Sequence, residues 1–382
     1  MKFLFAPDAL KGSLTSAQAA GLLEKAARAV FEQVECFTVP VADGGEGTME
    51  AVLAAEGGRW MEAEATGPLG EKVKAKYGAL DERRAVIEMA QASGLPLVPP
   101  EKRNPLYTTT FGTGELIRNA LDHGFSDLSV AIGGSATNDG GMGCMRALGA
   151  RFLDKAGREL AGRGEDLERV EQLDFSGLDG RLRQIRLTVL CDVNNPLCGE
   201  NGAVNTFSAQ KGATEEIKRR LEAGMVHYRD VIKKQLGIDP DTVPGSGAAG
   251  GLGAALSVFL GGVMRSGIDT VLDLIHFDTR LEGMDLVVTG EGRTDWQSSF
   301  GKVMRGVGER ARAKGVLAVG LSGCLGHGAE EILKHGIASL MTAVDRPMTE
   351  KEAMDRAEEL YYQSAIRMFR FLRAGMALQK KI

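Results

Sequence analysis

Residues 128–148 read LSVAIGGSATNDGGMGCMRAL. The run 128–132 is apolar enough to predict a buried strand, and 142–148 carries apolar residues at the spacing of a short helix. Between them, Ile132-Gly133-Gly134-Ser135-Ala136-Thr137-Asn138-Asp139-Gly140-Gly141 predicts a tight turn. Strand, glycine turn and helix start make the unit from which α/β folds are assembled. Glycines let backbone N–H groups converge at the positive end of a helix without Cβ interference, so the turn predicts an anion site, phosphate foremost, built from Gly133, Gly134, Ser135, Thr137, Asn138 and Asp139. The competing reading is a sharp turn whose polar side chains cap a helix.

The same unit opens the chain. Residues 2–7 form an apolar strand, DALKGS at 8–13 a loop, and Thr15 with Gln18 a T-x-x-Q capping box before a helix with Ala19, Leu22, Leu23, Ala26 and Val30 on one face. A second strand at 34–41 ends in ADGGEGT (42–48) before a helix at 49–55. Two such units with charged loops at the strand ends predict an α/β doubly wound sheet. After GPLG at 67–70 the pattern changes to alternation at 73–77 and 85–89, which predicts paired strands and a second α/β domain. That domain takes in a strand at 85–90, Thr108-Thr109-Thr110, a helix at 115–121, the glycine turn, and an apolar strand at 185–191 ending in DVNNP. Regular α/β pattern returns at 271–289, followed by the loop GEGRTD, strands at 316–321 and 337–344, and a final helix at 350–372. The expected organisation is a discontinuous doubly wound domain, 1–65 with 275–382, and an inserted domain, 66–274.

Composition excludes several classes. Glycine, 51 of 382 residues, is well above the usual ~7%, yet there is no collagen period and 43% of residues are hydrophobic. A net charge of −5 without a long basic run gives no nucleic-acid surface. Five scattered cysteines without C-x-x-C spacing argue against a disulfide framework and a zinc site, and point to a reducing cytoplasm. The first apolar run is too short for a signal peptide. Residues 242–264 carry no charge and are long enough to span a bilayer, but Pro244 and the glycines predict a buried segment and no membrane association.

Gly245-Ser246-Gly247-Ala248-Ala249-Gly250 matches G-x-G-x-x-G, with Asp269 near the ribose distance. The preceding 239–244 reads as a turn, so Gly247 and Gly250 are expected in packing or in phosphate approach, not in a dinucleotide fold. The histidines have no zinc spacing, and 321–324 lacks the serine-hydrolase elbow. What repeats is an acid in a glycine-rich or polar loop at a strand end: Asp8, Asp43, Glu46, Asp139, Asp192, Glu291 and Asp295, beside Lys11, Lys211 and Lys302. Each alone is a candidate helix cap. Together they supply what phosphoryl transfer needs: carboxylates for Mg²⁺ (Asp43, Glu46, Glu291), cations over phosphates (Lys11 and Lys302, with Lys211), and a base or positioning group for the attacking hydroxyl. Asp192 ends an apolar strand beside Asn194 and Asn195, which suits the hydroxyl and carboxylate of a small acid, with Asp295 the next candidate. Asp8 and Ser13 complete the first loop.

Long motifs in order carry a resemblance: APDALKGSLTSAQAA (6–20), PVADGGEGT (40–48), TGPLG (66–70), IEMAQASGL (87–95), IGGSATNDGGMG (132–143), CDVNNPLCG (191–199), QKGA (210–213, with Gln210 and Lys211), GSGAAGGLGAAL (245–256) and VVTGEGRTDWQSSFGK (287–302). The chain resembles the bacterial type 1 glycerate kinase family over essentially its whole length. The resemblance implies ATP- and Mg²⁺-dependent phosphorylation of D-glycerate, at the 2-hydroxyl in this branch. It also implies a flavodoxin-like domain from both chain ends with an inserted restriction-enzyme-like α/β domain. Ala9-Leu10 stands where Ser-Phe is common, and Trp296 where Gly is common. Other readings of the same residues are a kinase of another small hydroxy acid, a 3-phosphorylating glycerate kinase, and a non-catalytic regulator that binds phosphate or sugar acids.

Overall fold

The computed structural model describes residues 1–45 and 47–379. Its strands are β1 (Lys2–Pro7), β2 (Glu35–Thr38), β3 (Arg59–Thr66), β4 (Lys72–Ala79), β5 (Arg84–Glu88), β6 (Asp127–Ala131), β7 (Arg186–Leu190), β8 (Val263–Arg265), β9 (Leu286–Gly290), β10 (Leu317–Ser322) and β11 (Ile337–Thr342), besides two small two-stranded pairs. Two units emerge. The first holds Met1–Asp43, Glu50–Glu56 and the chain from Gly267 onward, and the second holds Gly44–Met49 and Gly57–Ser266. The α/β class with parallel sheets read from the sequence is what the structure has.

In the first unit the strand order is β11-β10-β9-β1-β2, all parallel. Five of the six residues of β1 are buried, as a parallel strand between helical layers requires. Alternation sends Phe3 and Phe5 to one face, where they join a core with Leu23, Tyr361 and Phe369 from the helices Ser16–Val30 and Ala357–Gln379. Phe3 stacks on Phe369 with ring centroids 5.9 Å apart. Val303, Met304 and Val307 of the helix Val303–Ala313 are buried, and that helix packs on β9 and β10. The expected capping box starts the first helix: Thr15 Oγ1 accepts from Gln18 N–H at 3.1 Å, and Thr15 N–H donates to Gln18 Oε1 at 2.9 Å.

In the second unit the order is β8-β7-β6-β5-β4-β3; β5 to β8 are parallel, and β3 and β4 are antiparallel additions. β3 pairs with β4 over eight residues, with Glu62–Lys76 at 3.1 Å and Glu64–Lys72 at 3.5 Å across the edge. Hence 59–65, which the sequence reading leaves in the first domain, lies with the second unit. Only Met61, Ala63 and Ala65 alternate in RWMEAEAT, too weak a signal beside the charges of an edge strand. The return comes at Gly267, where the helix Gly267–Leu274 belongs to the first unit. The final helix is two, Glu350–Asp355 and Ala357–Gln379. Residues 242–264 form short helical turns and β8, and no helix among the described residues is long and apolar enough to cross a membrane.

Phe369 is fully buried against Phe3, Phe5 and Phe31. Phe369→Ala is therefore expected to cost about 3–5 kcal/mol in urea unfolding.

Candidate active site

Asp8 N–H donates to the Gly290 carbonyl at 2.8 Å, so the loops that leave β1 and β9 start side by side. Strand order reverses between those two strands, and open α/β sheets take ligands at such a reversal, outside the carboxyl ends of the strands. A cavity of about 650 Å³ opens there. Its lining includes charged Asp8, Lys11, Asp43, Glu291, Arg293 and Lys302 with Ser13, apolar Val344, Met348, Ala353, Met354 and Leu360, and, between Met348 and Ala353 in sequence, the polar pair Thr349 and Glu350. The Lys11-Gly12-Ser13 turn is closed by Leu14 N–H to the Leu10 carbonyl at 3.0 Å and Ser13 Oγ to the same carbonyl at 3.0 Å, with Gly12 at φ 81°.

Burial is the first reason that the Asp8 carboxyl is pushed up to about 7, and the charges of Asp43 and Glu291 push the same way; the Ala9 N–H and Lys11 pull back. Burial also raises Glu291, against hydrogen bonds from Ser298 and Thr294 and the charge of Lys302. Thr294 Oγ1 donates to Glu291 Oε1 at 3.0 Å. Asp295 is the cap of the turn Trp296–Ser299: its Oδ1 accepts from Gln297 N–H at 2.9 Å, its N–H donates to Ser298 Oγ at 3.1 Å, and Arg293 Nε stands 3.5 Å from its Oδ2. Lys302 is the N-cap residue of the helix Val303–Ala313. Glu46 lies outside the described residues. Among the described residues no group of three or more His, Cys, Asp or Glu is placed to hold a metal ion.

The glycine turn of the second unit divides in two. Gly133 and Gly134 are exposed, the latter at φ 73°, whereas Ser135, Thr137, Asn138 and Asp139 are buried. Asp139 Oδ2 accepts from Thr110 N–H (2.7 Å), Thr110 Oγ1 (2.8 Å) and Gly143 N–H (3.2 Å), and its Oδ1 accepts from Gly141 N–H (3.0 Å). The amides expected to meet a phosphate at the start of the helix Met142–Ala147 are thus taken by a carboxylate of the same loop. Lys211 is inside as well, with Nζ donating to the Thr137 carbonyl at 2.6 Å. Burial pushes its ammonium down to about 7, against the pull of Asp139, whose own carboxyl burial raises. Thr137 Oγ1 and both polar atoms of the Asn138 amide are buried with no protein partner among the described residues, a situation that internal water ordinarily satisfies.

Gly247 and Gly250 serve backbone packing. A Cβ at Gly247 would run into the Pro196 carbonyl, and one at Gly250 into the Thr137 carbonyl. The preceding segment is the turn Pro240–Thr242, not a strand, so the G-x-G-x-x-G run is no dinucleotide fingerprint. Asp192 and Asn194 are exposed in the loop after β7, and Asn194 lines a second cavity of about 700 Å³ with Cys191, Ser257, Met264 and Arg265. Asn195 Nδ2 donates to the Asn201 carbonyl at 2.7 Å, and Gln210 is exposed. Sequence reasoning missed Thr110, whose side chain meets Asp139, and Glu88, which accepts from Met49 N–H at 2.8 Å. It also missed Arg293 and the methionines of the first cavity. Thr108-Thr109-Thr110 was a visible signal for the first; nothing local marks the methionines.

A model described as the glycerate kinase family matches residues 3–373. The chain belongs to the glycerate kinase family. Family relatives include the glycerate 2-kinase of Escherichia coli K12, 45% identical over 379 residues, covering 99% of this chain and 98% of the relative. The glycerate kinase of Bacillus subtilis strain 168 is 45% identical over 366 residues, 96% of each chain. A crystal structure provisionally named as glycerate kinase 2 from Salmonella typhimurium LT2 matches with a TM-score of 0.87 at 43% identity, over 99% of each chain. The family read from the ordered motifs is therefore the family found.

The raised Asp8 and the lowered Lys211 load opposite pH windows. The folded state keeps the Asp8 proton up to about pH 7 while the unfolded chain loses it near 4, so this carboxyl makes stability fall across that interval. Asp8→Asn should be more stable than the parent at pH 8 by roughly 1–3 kcal/mol and equal to it at pH 3, in thermal melts with EDTA. For Lys211 the unfolded chain holds a proton up to ~10.4 that the folded chain releases near 7, so stability rises with pH between them. Lys211→Met should flatten that rise in urea titrations at pH 7, 8.5 and 10.

Proposed function

We propose that this chain transfers the γ-phosphoryl group of ATP to the 2-hydroxyl of D-glycerate, giving 2-phosphoglycerate and ADP. Membership of the glycerate kinase family along 3–373 carries the reading, and the name of the E. coli relative supports the 2-position. Lys11 and Lys302 are the cations for the phosphates, since both line the cavity at the reversal of strand order. Mg²⁺ takes one or two carboxylates and completes its shell with water and phosphate oxygens, so the hard oxygens of Asp43 and Glu291 in that cavity suit it without a cage of three acids. When bound, it would neutralise charge on the β- and γ-phosphate oxygens. Glu46 stays a candidate from the sequence alone.

Asp192 is proposed to accept or orient the proton of the glycerate hydroxyl, with Asn194 beside it for the acid. Its support is position: an exposed carboxylate two residues after the strand β7. The exposed Gly133 and Gly134 backbone is the part of the glycine turn proposed to meet phosphate. In architecture, the order β2-β1-β9-β10-β11 supports a flavodoxin-like first domain. The second unit is proposed as the inserted domain, restriction-enzyme-like by resemblance. Five cysteines, all free, support a cytoplasmic setting.

Phosphorus NMR after incubation with ATP, Mg²⁺ and D-glycerate is expected to show 2-phosphoglycerate; a 3-phosphate product or none would overturn the assignment. Asp192→Asn should lower kcat ~10²–10⁴-fold with ADP affinity and Tm little changed, the range of a positioned base. Lost stability with kcat retained would make Asp192 a turn residue.

A further inference from the structure

Which loops take the nucleotide and which take the acid is not legible in the motifs, because every loop carries glycine and charge. The two cavities differ in a way that separates the substrates. We infer that the cavity of the first unit is the nucleotide site, with the purine ring against Met348, Met354 and Leu360 and the phosphates toward Lys11 and Lys302. This rests on the proposed kinase reading, and it adds where the nucleotide lies.

The argument is one of chemical match. D-glycerate is a three-carbon acid whose every carbon bears oxygen, so it has no apolar surface to bury. A nucleoside triphosphate has an apolar, aromatic end and an anionic end. The first cavity presents both kinds of surface: Val344, Met348, Ala353, Met354 and Leu360 on one hand, and on the other the lysines with Arg293, interleaved with the carboxylates of Asp8, Asp43 and Glu291 that suit the cation a triphosphate carries. At about 650 Å³ it falls within the ~300–1,000 Å³ of sites that enclose a cofactor-sized ligand. Methionine suits a purine because its thioether is polarizable, unbranched and favourable against aromatic rings. The parts are also neighbours: a Cβ on Gly12, next to Lys11, would stand 3.4 Å from Met354 Cε.

Two further observations agree. The helix Val303–Ala313 begins at Lys302 with no side-chain cap, whereas the helix Ser16–Val30 has its capping box filled, so the cavity is bordered by a helix start that, among the described residues, no capping side chain closes. In the second unit, the corresponding amides of the glycine turn are occupied by Asp139. The 700 Å³ cavity of that unit offers Arg265 and Asn194 but no lysine, and suits the small acid better than a triphosphate.

The test is photolabelling of the full chain with 8-azido-ATP, followed by peptide mapping, together with calorimetric titration of ADP and of D-glycerate. Label is expected in 343–360, with protection by ADP. Ala353→Trp fills the apolar part from a half-buried position and should weaken ADP binding tenfold or more while leaving D-glycerate affinity and Tm unchanged. Met348→Glu should do the same and serves if the tryptophan variant folds poorly. Label confined to 132–141, 191–199 or 245–256, or unchanged ADP affinity in both folded variants, would overturn the assignment. Label in 343–360 without any phosphorylated glycerate would keep the nucleotide site and remove the kinase reading. A 2-phosphoglycerate product with label in the second unit would do the reverse.

Discussion

Parallel pairing of β1 with β9 joins residues 283 positions apart, Phe3 opposite Leu286 through Pro7 opposite Gly290. Everything proposed for the first unit depends on it. Such a pairing closes a very long loop, and its entropic cost is offset only if both strands bury their faces. They do: β1 buries five of six residues and β9 all five. Strand order then reverses between them, so the loops after β1 and β9 diverge at one end of the sheet and leave space between them. The cavity with Asp8, Lys11, Glu291 and Lys302 is a product of that topology.

Concentrating carboxylates in such a place has an electrostatic consequence. Asp8 sits among Asp43 and Glu291 with limited access to water, and its carboxyl is held near neutrality as a result. A site of this kind destabilises the ligand-free fold and favours anything that brings positive charge into it, a common trade between stability and function. Asp295 shows another use of a carboxylate: four residues beyond Glu291, it caps the turn Trp296–Ser299.

The glycine turn of the second unit shows how a loop can look like an anion site and contain its own anion. Asp139 accepts four hydrogen bonds from Thr110, Gly141 and Gly143, and Lys211 holds the same loop through the Thr137 carbonyl. Glycines at 140, 141, 250 and 251 all take positive φ; a Cβ at 250 or 251 would run into backbone, one at 140 into the Tyr228 ring, and one at 141 into the Ala255 side chain. Ala249, at φ 53°, holds the same unusual geometry without being glycine. Within this stretch the Asp139 side chain builds the turn, while Gly133 and Gly134 lie at the surface.

Elements with strong local signals are legible in the chain alone: the capping box at Thr15 and Gln18, the apolar strands at β1, β6, β7 and β9, and the acids in the loops that follow them. Motif order along the chain also determined the family. Those signals are local, set by periodicity, capping chemistry and residue type. Folding in three dimensions is what joins β3 to β4, turns Asp139 and Lys211 inward, and brings Met348 and Met354 into one cavity with Lys11. The reason is physical. Register, burial and the sharing of a cavity depend on partners tens to hundreds of residues away, and a charged residue at a strand end reads the same whether its carboxylate meets solvent, caps a turn or closes a buried network.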